Sequence, residues 1–165
     1  PGAPVTNAVL ARPTMLNPWI VAARGAAVDV FDQALSLRGR ALDTGVLTLG
    51  SVGALIPIVS ELSPVQIGVF ASEPDCTRLA RALLYAAPTD PITRAEMIDA
   101  MCEIANMLAG SVKARVTGYA THAALGLPTF VHGPVEAATS TAVDVVPIAV
   151  DDLVTYVVIV RAIDA

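Results

Sequence analysis

Aromatic residues make up only 4% of this 165-residue chain, although 55% of its residues are hydrophobic. Its core must therefore be built mainly from Ala, Val, Leu, Ile and Met side chains. Charged residues are also scarce, at 15% against the roughly 25% that is usual in soluble domains. The length fits one domain, and an apolar surface on such a chain predicts an oligomer interface or a docking face.

Basic residues are also few: the net charge is −5 and Lys113 is the single lysine. Without a basic run, nucleic acid is not expected as a partner. The cysteines, Cys76 and Cys102, have no motif spacing, which predicts two reduced thiols rather than a disulfide. No signal peptide or uninterrupted apolar span is visible, so we expect no membrane contact and a cytoplasmic protein.

The proline-rich residues 1–14 predict a flexible leader, and residues 15–165 predict a single domain. Helices are expected to begin at capping residues that have proline in the turn that follows, namely Asn17, Ser72 and Asp90. The first helix should end at Gly39. β-Branched apolar runs bounded by Gly, Ser and Pro predict strands at residues 46–59, 65–70, 125–131, 142–150 and 153–160.

Two of these strand pairs share a pattern, since the segments that start at Ile56 and Val146 both read apolar-Pro-Ile, an acidic turn, then a Val/Ile strand. This predicts a weak internal pseudo-repeat. Hairpins pair antiparallel, so we expect an α+β fold with long helices packed on a mainly antiparallel twisted sheet. Pro57 should lie at an edge or bulge. Residues 153–160, apolar on both faces, should form a central strand or a covered edge.

The helix predicted over residues 90–115 carries a narrow polar stripe. At 100° per residue, Asp99, Glu103, Asn106 and Gly110 lie within about 60° of one another. The opposite side is apolar: Met97, Met101, Ile104, Ala105, Leu108 and Val112. The simplest interpretation is a solvated helix face. However, Asn disfavours helix interiors and Gly costs about 1 kcal/mol relative to Ala, which is typical of a functional site.

The chemistry of the stripe suits a hydrolysis in which positioning supplies most of the catalysis. The Glu103 carboxylate can pair with a cation, and the Asn106 amide can donate and accept at once and so hold a water. The stripe, Asp99-x-x-x-Glu103-x-x-Asn106-x-x-x-Gly110 followed by Lys113, resembles the signature of the CheX-like chemotaxis phosphatases, relatives of CheC. Supporting positions fall in the family's order: the Asn17-Pro18 helix, Gly53, Leu127, Pro128 and Gly133.

The resemblance implies a CheC/CheX-like fold and a phosphatase that hydrolyses the phospho-aspartate of a CheY-like response regulator in two-component signalling. Glu103 would dock on the regulator's active-site lysine and Asn106 would orient the attacking water, with Asp99, Gly110 and Lys113 in support. No cofactor of its own is expected, and Mg²⁺ would belong to the receiver. A homodimer is also expected. Only one site is predicted, because the first helix offers Asp29-Val-Phe-Asp32, with no amide in the fourth place.

Two other functions remain open on the sequence: a non-catalytic receiver-binding or scaffold domain that docks through the same face, and a rotor-switch relative that only assembles. Smaller candidates are weaker. His122 and His132 lack a third ligand at a motif spacing, so no metal site is predicted. Asp151-Asp152 is most simply a turn.

Overall fold

A computed structural model describes residues 17–45, 47, 50–60, 64–116, 123–133 and 140–163. Within these ranges the chain forms three helices and seven strands. They are α1 (Pro18–Ala34), β1 (Gly39–Ala41), β2 (Val52–Val59), β3 (Val65–Ala71), α2 (Glu73–Leu83), α3 (Arg94–Arg115), β4 (Ala124–Leu125), β5 (Thr129–His132), β6 (Thr141–Val150) and β7 (Leu153–Ala162). The predicted leader, residues 1–14, and part of the strand predicted from residue 46 lie outside the described residues.

The first two helices begin at their predicted caps. The Asn17 side chain accepts the N–H of Trp19, and the Ser72 hydroxyl accepts the N–H of Asp75. Each cap satisfies a donor that has no partner inside the helix. The predicted end of α1 at Gly39 is wrong: the helix stops at Ala34, and Gly39 opens β1.

The predicted start of the third helix at Asp90 is also wrong, because α3 begins three residues after Pro91. Thr93 caps it with a reciprocal pair of bonds, in which Thr93 Oγ1 accepts the Glu96 N–H and the Glu96 carboxylate accepts the Thr93 N–H. The Thr93 hydroxyl also donates to the Glu96 carboxylate, and this bond, followed by that from the Thr93 N–H, lowers the pKa of Glu96. The Asp90 carboxylate is used instead in the preceding turn, where it accepts the N–H of Ala87.

The strands form one antiparallel sheet in the order β1-β6-β7-β3-β2-β4, with β5 also pairing with β2. The helices pack on one face, which confirms the predicted α+β architecture. The strand predicted at 125–131 is two short strands on β2, separated by residues 126–128. Pro57 lies opposite this gap, and its carbonyl accepts the Gly126 N–H at 2.8 Å. Because proline cannot donate to a neighbouring strand, the gap suits its place.

The predicted internal repeat is visible in the register of the sheet. Pro57 pairs with Gln66 in the hairpin β2–β3, and residues 90 positions later, Pro147 and Tyr156, pair in the hairpin β6–β7. The two hairpins meet where β3 pairs with β7, and there Gly68 lies opposite Val158, again 90 positions later. Equivalent residues therefore face each other at the centre of the sheet, as a two-fold relation between the hairpins requires.

Strand β7 is central, as predicted, with β3 on one side and β6 on the other. Val157 and Ile159 join the core beneath the helices, whereas Val158 packs with Phe70 and Val145 on the opposite face. The apolar character of both faces of β7 is therefore explained within a single chain. The homodimer stays a prediction.

Gly53 is required by the close approach of β3. A Cβ atom added to it would lie 2.0 Å from the Val69 carbonyl oxygen and 2.8 Å from the Phe70 Cα, both of them backbone atoms. We expect Gly53→Ala to lower the free energy of unfolding by more than about 2 kcal/mol in chemical denaturation, because the sheet must shift to admit the methyl group. Gly50→Ala is the control, since nothing lies within 4 Å of a Cβ there. Equal denaturation midpoints for the two variants would contradict this packing.

Candidate functional site

Helix α3 is fixed by its apolar side. It packs against α1, α2, β2 and β3. All six apolar residues predicted for that side are buried, together with Ala100 and Ala109. Burial of each large aliphatic side chain contributes about 1.5–3 kcal/mol, so the rotation of the helix about its axis is strongly determined. The polar stripe must then point away from the core.

The stripe lies on the surface of α3, where the helical period places it. Asp99 and Glu103 are exposed, whereas Asn106, Gly110 and Lys113 are half-buried. Among the contacts between described residues, the side chains of Asp99, Glu103 and Asn106 make no hydrogen bond or ion pair. One turn of helix separates Glu103 from Asn106, so a carboxylate and an amide are presented side by side on a rigid support.

Lys113 has a structural partner at the end of this stripe. Its Nζ donates to the Ala123 carbonyl at 2.8 Å, just before β4 begins. The amine therefore ties α3 to β4 and is not directed at the carboxylates of Asp99 and Glu103. This brace was not predicted, because no sequence pattern links Lys113 with a backbone carbonyl ten positions later.

Gly110 faces β4, but packing does not require glycine at this position. A Cβ added to it would lie 3.9 Å from Leu125 Cδ1, which is an ordinary van der Waals contact. No neighbour among the described residues would have to move, so packing would accept alanine. The sequence reasoning also missed Leu125 as a neighbour of the stripe, since no motif links residues that meet only through strand pairing.

The two thiols are free, as predicted, and neither is a ready nucleophile. Cys76 is buried, and its burial raises the pKa of the thiol to about 12. Cys102 is half-buried next to Glu103 in the sequence, and burial, followed by the charge of Asp99, raises its pKa. Both are therefore protonated at neutral pH, the less reactive form of cysteine.

The equivalent face of α1 lacks the same pair of groups. Asp29 forms an ion pair with Arg115 from the end of α3, and Asp32 is exposed. The groove beside this pair is mainly apolar, lined by Pro18, Val21, Ala22, Gly25, Arg115 and Val116. Its one charged group is already engaged by Asp29, so the groove presents little for catalysis.

The remaining candidates add no second site. In the part of the chain that the structure describes, no cluster of three His, Cys, Asp or Glu side chains is arranged to hold a metal ion. His132 ends β5, whereas His122 lies outside the described residues. Asp151 and Asp152 form the predicted turn between β6 and β7, with Asp151 at a φ of 49°. Among the described residues, no helix is both long and apolar enough to cross a membrane.

Substitution of Gly110 by alanine tests whether glycine at this position costs helix stability. Because alanine fits the space and favours the helix, we expect Gly110→Ala to raise the free energy of unfolding by about 0.5–1 kcal/mol in urea denaturation. Ala114→Gly, at an exposed position of the same helix, is the reverse control and should be destabilising. A less stable Gly110→Ala protein would mean that a required glycine conformation or contact has been overlooked.

Comparisons with known proteins identify the family and the fold. The family model described as "Chemotaxis phosphatase CheX" matches residues 53–150, which is 98 of the 165 residues and includes all of α3. A comparison with curated proteins found no significant match. Solved structures do match: the chemotaxis protein CheX from Vibrio vulnificus is 18% identical with a TM-score of 0.65, over 90% of this chain and 97% of that chain.

Two further structures are similar at comparable levels. A CheC-like superfamily protein from Shewanella sp. PV-4 is 17% identical with a TM-score of 0.68, over 89% of this chain and 99% of that one. A chain of the CheX-CheY-BeF3-Mg complex from Borrelia burgdorferi is 15% identical with a TM-score of 0.66, over 88% and 98% respectively. At such identities these structures establish the fold.

Proposed function

The chain belongs to the chemotaxis phosphatase CheX family, and we propose that it hydrolyses the phospho-aspartate of a CheY-like response regulator with Glu103 and Asn106. One observation carries the proposal: a carboxylate and an amide stand one turn apart on the outer face of a firmly packed helix, with no partner among the described residues. The existence of a CheX-CheY complex in Borrelia burgdorferi supports a receiver as the partner.

Glu103 supplies the docking contact. Its exposed carboxylate can accept a charge-assisted hydrogen bond from the lysine of the regulator's active site, which gives the complex its register. Such a pair becomes stronger as the two surfaces exclude water. Asp99, one turn earlier, adds a second negative charge to the same face and supports the approach of a basic surface.

Asn106 supplies the position of the nucleophile. Its Oδ1 can accept a hydrogen bond from a water molecule while its Nδ2 donates to the phosphoryl group, so that the water oxygen stands in line with the scissile bond. The water oxygen attacks phosphorus, the P–O bond to the aspartate breaks, and the proton of the water leaves with inorganic phosphate. Phosphoryl transfer needs little covalent help, and the Mg²⁺ expected in the receiver neutralises charge on the phosphate.

Gly110 and Lys113 act in support. The absence of a side chain at Gly110 lets a partner's backbone approach the helix, which offsets the helix stability that glycine loses. Lys113 holds β4 against the end of the stripe through the Ala123 carbonyl. Both roles concern the shape of the docking surface rather than the reacting atoms.

The second candidate function is a non-catalytic receiver-binding or scaffold domain. It would use the same exposed face, and the acidic character of Asp99 and Glu103 favours it as much as it favours catalysis. The amide of Asn106 distinguishes the two, because a docking surface alone has no need of a water-positioning group in a helix interior.

The catalytic proposal predicts different effects for the two residues. Asn106→Ala should remove the acceleration of phosphate loss, by at least about 100-fold, while leaving receiver binding almost unchanged, because the water loses its position. Glu103→Gln should weaken binding as well as the rate, because the charge that meets the lysine is lost. The measurement is the loss of radioactive phosphate from purified phosphorylated receivers of the same organism.

Asp32→Asn is the matched control, since it alters an exposed carboxylate on α1 outside the stripe and should keep full activity. An Asn106→Ala protein with the wild-type rate would refute the catalytic role. Binding of phosphorylated receivers without accelerated phosphate loss by the wild type would instead establish the docking function.

A further inference from the structure

The polar stripe of α3 adjoins strand β4 of the neighbouring sheet at Gly110. Strand β4 pairs with the end of β2, where Leu125 lies opposite Ile58. The buried Ile58 belongs to the helix-facing side of β2, so Leu125 faces the helices too. There its Cδ1 lies 3.9 Å from the position of a Cβ on Gly110. Gly110 therefore joins the stripe to β4.

Two residues beyond Leu125, the chain displays a leucine to solvent. Leu127 is 85% exposed, more than any other large hydrophobic residue among those described. We name Leu125 and Leu127 together the leucine shoulder. Burial of a leucine is worth about 1.5–3 kcal/mol, so its full display to water forgoes that stabilisation.

The backbone around Leu127 is held, although its side chain is free. Before it, Gly126 N–H donates to the Pro57 carbonyl at 2.8 Å, and β4 is paired with β2. After it, Pro128 restricts the chain, and β5 pairs with β2 from Thr129 onward. A side chain on an anchored backbone can bind a partner with little loss of conformational entropy.

Charge indicates which partner fits this combined surface. Asp99 and Glu103 present negative charge without a counter-ion among the described residues, and the one lysine of the stripe is engaged by Ala123. The complementary face must therefore carry a basic group opposite Glu103. It must also carry an apolar side chain displaced along the helix, opposite the leucine shoulder.

We propose that the leucine shoulder is a docking anchor for the phosphorylated receiver, with Leu127 packing on an apolar side chain of that receiver. The inference rests on the proposed function and adds a specificity contact to it. Seven residues separate Glu103 from Gly110, which is about 10 Å along the axis of a helix. The receiver's apolar side chain is therefore expected on the Gly110 side of the lysine that meets Glu103, next to β4. Receivers with a polar residue there are poor substrates.

The test compares binding with turnover. We expect Leu127→Ala to raise both the KM for the phosphorylated receiver and the Kd for the same receiver loaded with beryllofluoride and Mg²⁺ by about tenfold, with kcat within a factor of two. Leu127→Met, which keeps the apolar volume, should restore both constants. Leu84→Ala is the control, because Leu84 is also exposed but caps the end of α2. Melting temperatures should not change, since Leu127 makes little contact with its own chain.

The outcomes separate this inference from the catalytic one. If Leu127→Ala leaves KM and Kd unchanged while Asn106→Ala abolishes turnover, the docking anchor is wrong and the proposed function stands. If Leu127→Ala weakens binding to a receiver whose phosphate loss the wild type does not accelerate, the anchor stands and the catalysis is wrong. If no receiver of the organism binds, both are wrong.

Discussion

Burial of one side of α3 is the constraint on which the site depends. Eight residues of this helix, from Met97 to Val112, are buried against the sheet and the other helices. Because burial fixes the rotation of the helix about its axis, the helical period also fixes where the opposite side points. Glu103 and Asn106 therefore face outward together. A site held by a packed helix is positioned more precisely than one on a loop, which suits a reaction that depends on where a water stands.

The two halves of the sheet beneath this helix are related by an approximate two-fold axis, but the helices of the two halves carry different polar groups. Two related hairpins meet at the pairing of Gly68 with Val158, and each half contributes a long helix to the same face. α3 presents Glu103 and Asn106 one turn apart, whereas on α1 Asp29 is paired with Arg115 and Asp32, not an amide, lies three residues after it. The Asp29–Arg115 ion pair ties α1 to the end of α3, so this carboxylate of α1 contributes to helix packing.

Much of this arrangement was predictable because it is local. Caps at Asn17 and Ser72, alternating strands, and the 3.6-residue period that isolates the stripe all depend on neighbours within a few positions. The predicted start of α3 at Asp90 was wrong because Thr93 and Glu96, which follow it closely, form a reciprocal cap. The contact of Leu125 with Gly110 and the Lys113 brace depend on the order of strands in the sheet, which no local pattern encodes.

Binding of a phosphorylated receiver to the outer face of α3 can be measured directly by amide hydrogen exchange, because bound amides exchange more slowly. The protein would be labelled with deuterium alone and with a beryllofluoride-loaded receiver. We expect slower exchange in peptides that span α3 and residues 123–128, and unchanged exchange in peptides of α1. Slower exchange confined to α1, or to the sheet face around Phe70, would show that the receiver does not bind the outer face of α3.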